Sequence, residues 1–248
     1  MATIYYDILL PDDTGNVELS SYIRPCTNKS SPWWNSLDLY VGGAKDLAGW
    51  FNQSIRRGGD VWRTSTPYTI KVCPGIGDLF KVSSLVVWPC DCILSITGSD
   101  RDNFTFYYKN ANIDGQVSLV SFYSHPPSQW ESKFSDVYHG MVNLKMELPL
   151  MLWSPNPSPI MLVSPDYHLN YVPYSIMPGI VTPKHNQPYH LNINTMFPLP
   201  EPGETTTYEF KQGTPICYMT FMNGKKVPTF KPKKPKKYIR KKFLRGNY

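Results

Sequence analysis

Apolar residues along this chain fall mostly into short runs of β-branched and aromatic side chains, separated by turn residues. TIYYDILL (3–10) reads as an opening strand. YTIKV (68–72), SLVVWP (84–89), CILSIT (92–97) and NFTFYY (103–108) continue the pattern. From Leu144 onward LKMELPLMLW, PIMLVS, PYHLNINTMF, TTTYEF and TPICYMTF extend it to Phe221. In the last run Gly213 supplies the turn and Pro215 opens the strand. There Ile216, Tyr218 and Thr220 alternate with Cys217, Met219 and Phe221, the two-residue period of a strand. Helical spacing occurs twice. Leu47, Trp50, Phe51 and Ile55 form one stripe that Gly58-Gly59 ends. A capping-box pair, Ser128 and Glu131, precedes Trp130, Phe134, Val137 and Tyr138, and Gly140 closes that stripe.

The pattern predicts a mainly β fold, formally α+β because of its two short helices. It is antiparallel and β-rich, β-clip or jelly-roll-like, with an extended basic C-terminal arm. Three regions follow: residues 1–66 (a strand, a Trp- and Pro-rich loop and an amphipathic helix), a β-rich body over 67–224, and the arm over 225–248. Twenty-four prolines, about twice the usual ~5% share, agree with short strands joined by ordered loops, because proline interrupts helices and central strands.

Charge changes the picture. The net charge is +6, yet eleven of the 25 basic residues lie in 225–248, which has no acidic residue. Residues 1–224 therefore hold 14 basic against 19 acidic residues, a net of −5. The candidate binding residues are in the arm: Lys225, Lys226, Phe230, Lys231, Lys233, Lys234, Lys236, Lys237, Tyr238, Arg240, Lys241, Lys242, Phe243 and Arg245. Pro228, Pro232 and Pro235 keep it extended. Its aromatics suit a pocket on a neighbour or a nucleic-acid base. Contact with other copies of the chain is the first expectation and DNA the second.

Catalytic patterns are missing from the sequence. It has no GxSxG, no P-loop and no HExxH, and GIGDLF after Pro74 is too poor in glycine for a dinucleotide loop. Cys73, Cys90 and Cys92 leave a zinc ion without a fourth ligand, so the expectation is small buried side chains in a sheet, with no metal and no cofactor. An odd count of five cysteines and an opening MATIYYDILLPDD without a basic run point to synthesis in a reducing host cytoplasm. No apolar run reaches the ~18 residues of a membrane span.

Two passages, MPGIVTPKHNQPYHLNI (177–193) and FKQGTPICYMTF (210–221), together resemble the β-clip pattern of the dUTPase and dCTP deaminase group. The positions that carry chemistry in that group hold Thr182, His185 and Tyr218 here, so the resemblance implies the fold without the hydrolase. Over residues 68–222 the chain is also similar to an uncharacterised family of tailed phages and marine viruses, through Cys73, Pro74, Asp78, Phe80, Pro89 and Asp91. That similarity implies a viral context and no activity. With no catalytic pattern and a basic arm, the expectation is a tailed-phage virion protein, a capsid-associated, neck or tail component, whose partners are other virion proteins and copies of itself. The alternatives are a virus-encoded enzyme acting on nucleotides, in which His185 or Asp166 would matter, and a non-specific nucleic-acid-binding accessory protein.

Overall fold

The computed structural model describes residues 3–9, 18–26, 74–99, 104–110, 112–113, 117–125, 140–156, 159–166, 173–184, 188–223 and 227–233. Both helices expected from sequence, at 44–59 and 126–140, lie outside these residues except for Gly140, as do the 68–72 strand and Cys73.

The longest strand, β9 (Met141–Trp153), shows why the chain folds as it does. Its even positions, from Val142 through Leu144, Met146, Leu148 and Leu150 to Leu152, are all apolar and at most 2% exposed. Each such side chain contributes roughly 1.5–3 kcal/mol by leaving water. Alongside β9 run β13 (Tyr189–Pro198) on one edge, and β8 (Ser121–Ser124) then β1 (Thr3–Ile8) on the other. β8 pairs with residues 144–147 and β1 with 150–153. Pro149 sits at that handover, opposite the register shift between His190 and Asn192 of β13, where a missing N–H disturbs the ladder least. β11 (Ser175–Ile176) and β16 (Thr229–Pro232) complete this first sheet, in the order β11-β13-β9-β1-β16.

A second sheet runs β12 (Gly179–Val181), β10 (Ile160–Val163), β15 (Pro215–Phe221), β3 (Ser83–Val87), β2 (Ile23–Pro25). Its inner residues Ile23, Val86, Leu162, Cys217 and Met219 meet the even positions of β9 in one core. The one α-helix among the described residues, α1 (Pro74–Val82), covers its outer face. Ile76 and Phe80, one helical turn apart, pack on Leu85, Val87 and Tyr218. Proline is tolerated at the first helical position. The carbonyl of Lys81, at the other end, accepts the N–H of Val227 at 3.0 Å.

A third sheet, β14 (Thr205–Phe210), β4 (Cys92–Thr97) and β5 (Thr105–Asn110), continues the second. β3 leads into β4 and β14 into β15, and the two pairs form one ribbon with a bend between them. Trp88 lies at the bend and stacks on Phe210 at 4.2 Å. Phe197, Tyr174 and Phe122 extend this aromatic cluster across to the first sheet. The remaining two strands, β6 (Asn112–Ile113) and β7 (Val117–Ser118), form a small separate pair. The fold is mainly β with several antiparallel sheets, as the sequence pattern predicts. α1 and the strand β16 are not foreseen by it.

Candidate interaction surface

β16 is the first part of the basic arm. It pairs parallel to β1, with Thr229 opposite Thr3 and Pro232 opposite Tyr6. Lys233 N–H donates to the Tyr6 carbonyl at 2.9 Å. In a parallel ladder alternate residues bond the same neighbour, so the nitrogen of Pro232 points to the open side, where it costs no hydrogen bond. Phe230 is half-buried and meets the ring of Phe221 edge-on at 5.9 Å. Lys231 is exposed. The Lys233 ammonium lies 4.6 Å from the centre of the Tyr5 ring, a cation–π contact, and Tyr5 in turn contacts Trp153. Of the arm residues singled out from sequence, Phe230 and Lys231 are thus on an edge strand of the body and Lys233 directly follows it. Lys225, Lys226, Lys234, Lys236, Lys237, Tyr238, Arg240, Lys241, Lys242, Phe243 and Arg245 lie outside the described residues.

The other face of the first sheet continues from that anchor and is largely covered, with Asp7, Glu147, Met151 and Trp153 at most 7% exposed. Successive rows, read from the strand registers, carry Lys231–Tyr5–Trp153, then Asp7–Met151–His190, then Ser121–Glu147–Asn192, then Tyr123–Lys145–Asn194. Lys145 and Glu147 are two residues apart on one strand face and form an ion pair at 2.7 Å. Burial lowers the pKa of His190. Glu147 and a hydrogen bond to the Leu148 backbone oppose that shift, and Lys145 adds to it. The Tyr123 hydroxyl is raised, mainly by burial and then by Glu147. The sequence reading missed this row, although Lys145 and Glu147 alternate with apolar residues in LKMELPLM, the one signal that marks them as a shared face.

The ribbon bend brings together WPCDC and KQGTP, two motifs singled out separately in the sequence. Asp91 Oδ1 accepts the Gln212 backbone N–H at 2.8 Å, and its Oδ2 accepts from Lys211 Nζ at 3.0 Å. Gln212 Nε2 donates to the Pro89 carbonyl, and Gly213, at φ +82°, donates its N–H to Trp88. Cys90 and Cys92 beside this bend are buried. Burial pushes the Cys26 and Cys92 thiols up to about 12 and that of Cys217 higher still, so all three are protonated at neutral pH. No three His, Cys, Asp or Glu side chains converge among the described residues. Asp166 is exposed, and His185 lies outside the described residues.

The outer face of the third sheet is a grid of small polar groups. Thr97 and Thr205 share a hydrogen bond at 2.7 Å, as do Ser95 and Thr207 at 3.0 Å, and Tyr107 stands 67% exposed beside them. Two clefts flank β14: one of about 260 Å³ bounded by Asp91, Ile93 and Lys109, the other of about 300 Å³ bounded by Tyr174, Tyr208 and Phe210. No helix among the described residues is long and apolar enough to cross a membrane. Comparison of the chain with protein-family models, with curated proteins and with solved structures finds no match.

Proposed function

We propose that this protein is a structural subunit of a tailed-phage virion whose β-rich body carries a basic arm that straps onto neighbouring copies. The observation that carries this reading is β16. The arm's first residues are seated in the body's own sheet through Phe230, Lys233 and the ladder to β1, so residues 234–248 begin from a fixed line. A tether fixed at its root gives its binding segment a high effective concentration over the surfaces it can reach. The body's net −5 complements the arm's charge and favours encounter between copies. The viral setting rests on the resemblance at Cys73, Pro74, Asp78, Phe80, Pro89 and Asp91.

The test is the protein content of purified particles. The chain is expected there in many copies, and its absence overturns the reading. Removal of residues 234–248 is expected to leave a folded body that no longer enters particles. DNA as the arm's partner is the second reading, favoured by the exposed lysines Lys231 and Lys233 beside an aromatic ring. It requires that the same deletion flatten the salt dependence of DNA affinity, since each phosphate contact steepens that slope by about 0.9.

A further inference from the structure

β14 is an edge strand: it pairs with β4 and, among the described residues, with nothing on its other side. Gly98 N–H donates to the Glu204 carbonyl, which sets the alternation along the strand. The Glu204 carbonyl and the backbone groups of residues 206, 208 and 210 turn to β4, the Glu204 N–H being held by the Glu201 carbonyl, while Thr205, Thr207 and Glu209 turn theirs to the open edge. The edge carries no proline and no lysine, the usual protections against an added strand. β16 is the opposite case, with Lys231 and the outward nitrogen of Pro232. The 300 Å³ cleft is bounded by Thr207, Tyr208, Glu209 and Phe210 in succession, so it runs along the edge of β14 and not over one face. Tyr174 also lines it. Aromatic rings beside an exposed carboxylate suit a lysine or arginine side chain on an extended peptide. Lys211, a nearby cation, is already paired with Asp91.

We propose that the open edge of β14 receives the arm of a second copy, with part of residues 236–248 adding as a strand and a basic side chain entering the cleft. This rests on the assembly reading above and names where the arm seats. The segment fits in three ways. It contains no proline, so no residue from Lys236 to Tyr248 lacks the N–H that a ladder needs. Six of its 13 residues are basic, opposite Glu209 and the exposed Glu201 and Glu204 at the start of β14. Its length is about 43 Å at ~3.3 Å per residue, so it can reach a neighbour and still cover the six residues of β14. A contact of arm to edge is head-to-tail and closes into a ring or extends as a filament.

The experiment measures the mass of the full-length chain by sedimentation over a range of concentrations, with three variants beside it. Full-length protein is expected to self-associate. Truncation after Pro235 and T207P, which removes one open-edge N–H and the side-chain bond to Ser95 but none of the backbone bonds to β4, are each expected to weaken association at least ~10-fold, a loss of about 1.4 kcal/mol. A synthetic peptide of residues 236–248 is expected to compete. Near-UV circular dichroism reports whether T207P keeps its packing. If it does not, E209K decides, with a several-fold weakening expected and no change overturning the proposal. Should the truncation abolish association while a folded T207P associates like the parent, the arm seats elsewhere: this inference fails and the assembly reading stands. A truncated chain that associates like the parent, or a full-length chain that stays monomeric throughout, overturns both.

Discussion

Asp91 holds the ribbon bend through two bonds to residues about 120 positions away. The backbone bond from Gln212 and then Lys211 hold its carboxyl below the ordinary value of 3.8. Because the folded-state pKa is the lower one, the contribution is present above pH 3.8 and is lost as pH falls through the folded value. Asp91→Asn is therefore expected to lower the melting temperature at pH 7, with a smaller gap to the parent at pH 3. Thermal unfolding followed at both pH values checks this, and an equal gap at both would show that the charge is not the cause. Gly98 illustrates a constraint of another kind, since a Cβ there would come within 2.1 Å of the Pro200 carbonyl oxygen. Neither role is legible in the sequence, because the partner atom in each case belongs to a distant segment. Gly213 is the contrast: a turn glycine before a strand is readable locally, and its φ of +82° agrees.

At the scale of elements, long strands with a strict two-residue period are the readable ones. β4 and β14 begin and end where CILSIT and TTTYEF do. α1 is obscured by Pro74, Gly75 and Gly77, which read as loop residues. It forms because Ile76 and Phe80 share a face that Leu85 and Tyr218 can cover. β16 is hidden by its prolines, which are compatible with a strand only at an edge. Its attachment rests on Phe230 more than on Lys233, because a half-buried ring gains more than an exposed cation–π contact, worth roughly 0.5–1 kcal/mol. Phe230→Ala is expected to cost about 1–2 kcal/mol and to expose residues 227–233 to protease, whereas Lys233→Ala changes stability by less than ~1 kcal/mol. Urea unfolding and limited proteolysis separate the two. Equal effects would mean that the ring is not the anchor.

Across the whole molecule, one core joins the inner faces of all three larger sheets, and the thiols report on it. Cys92 and Cys217 lie within that core, and Cys26 lies under α1. Their raised pKa values and their burial predict that an alkylating reagent leaves all three unmodified in the native state at neutral pH. Modification is expected to appear together with global unfolding in denaturant. Peptide mass spectrometry after timed labelling checks this, and early labelling of Cys26 alone would show that α1 opens independently. The sequence by itself determined the β character of the chain, most strand positions, and the separation of an acidic body from a basic end, because period, branching and charge are local properties. Only the tertiary structure decided that β3 joins β15, that β4 joins β14, and that the arm's first residues are an edge strand beside β1. The physical reason is that a two-residue period says which face a side chain occupies but nothing about the neighbouring strand. Backbone hydrogen bonds are alike from strand to strand, so the choice of neighbour falls to packing between segments far apart in the chain.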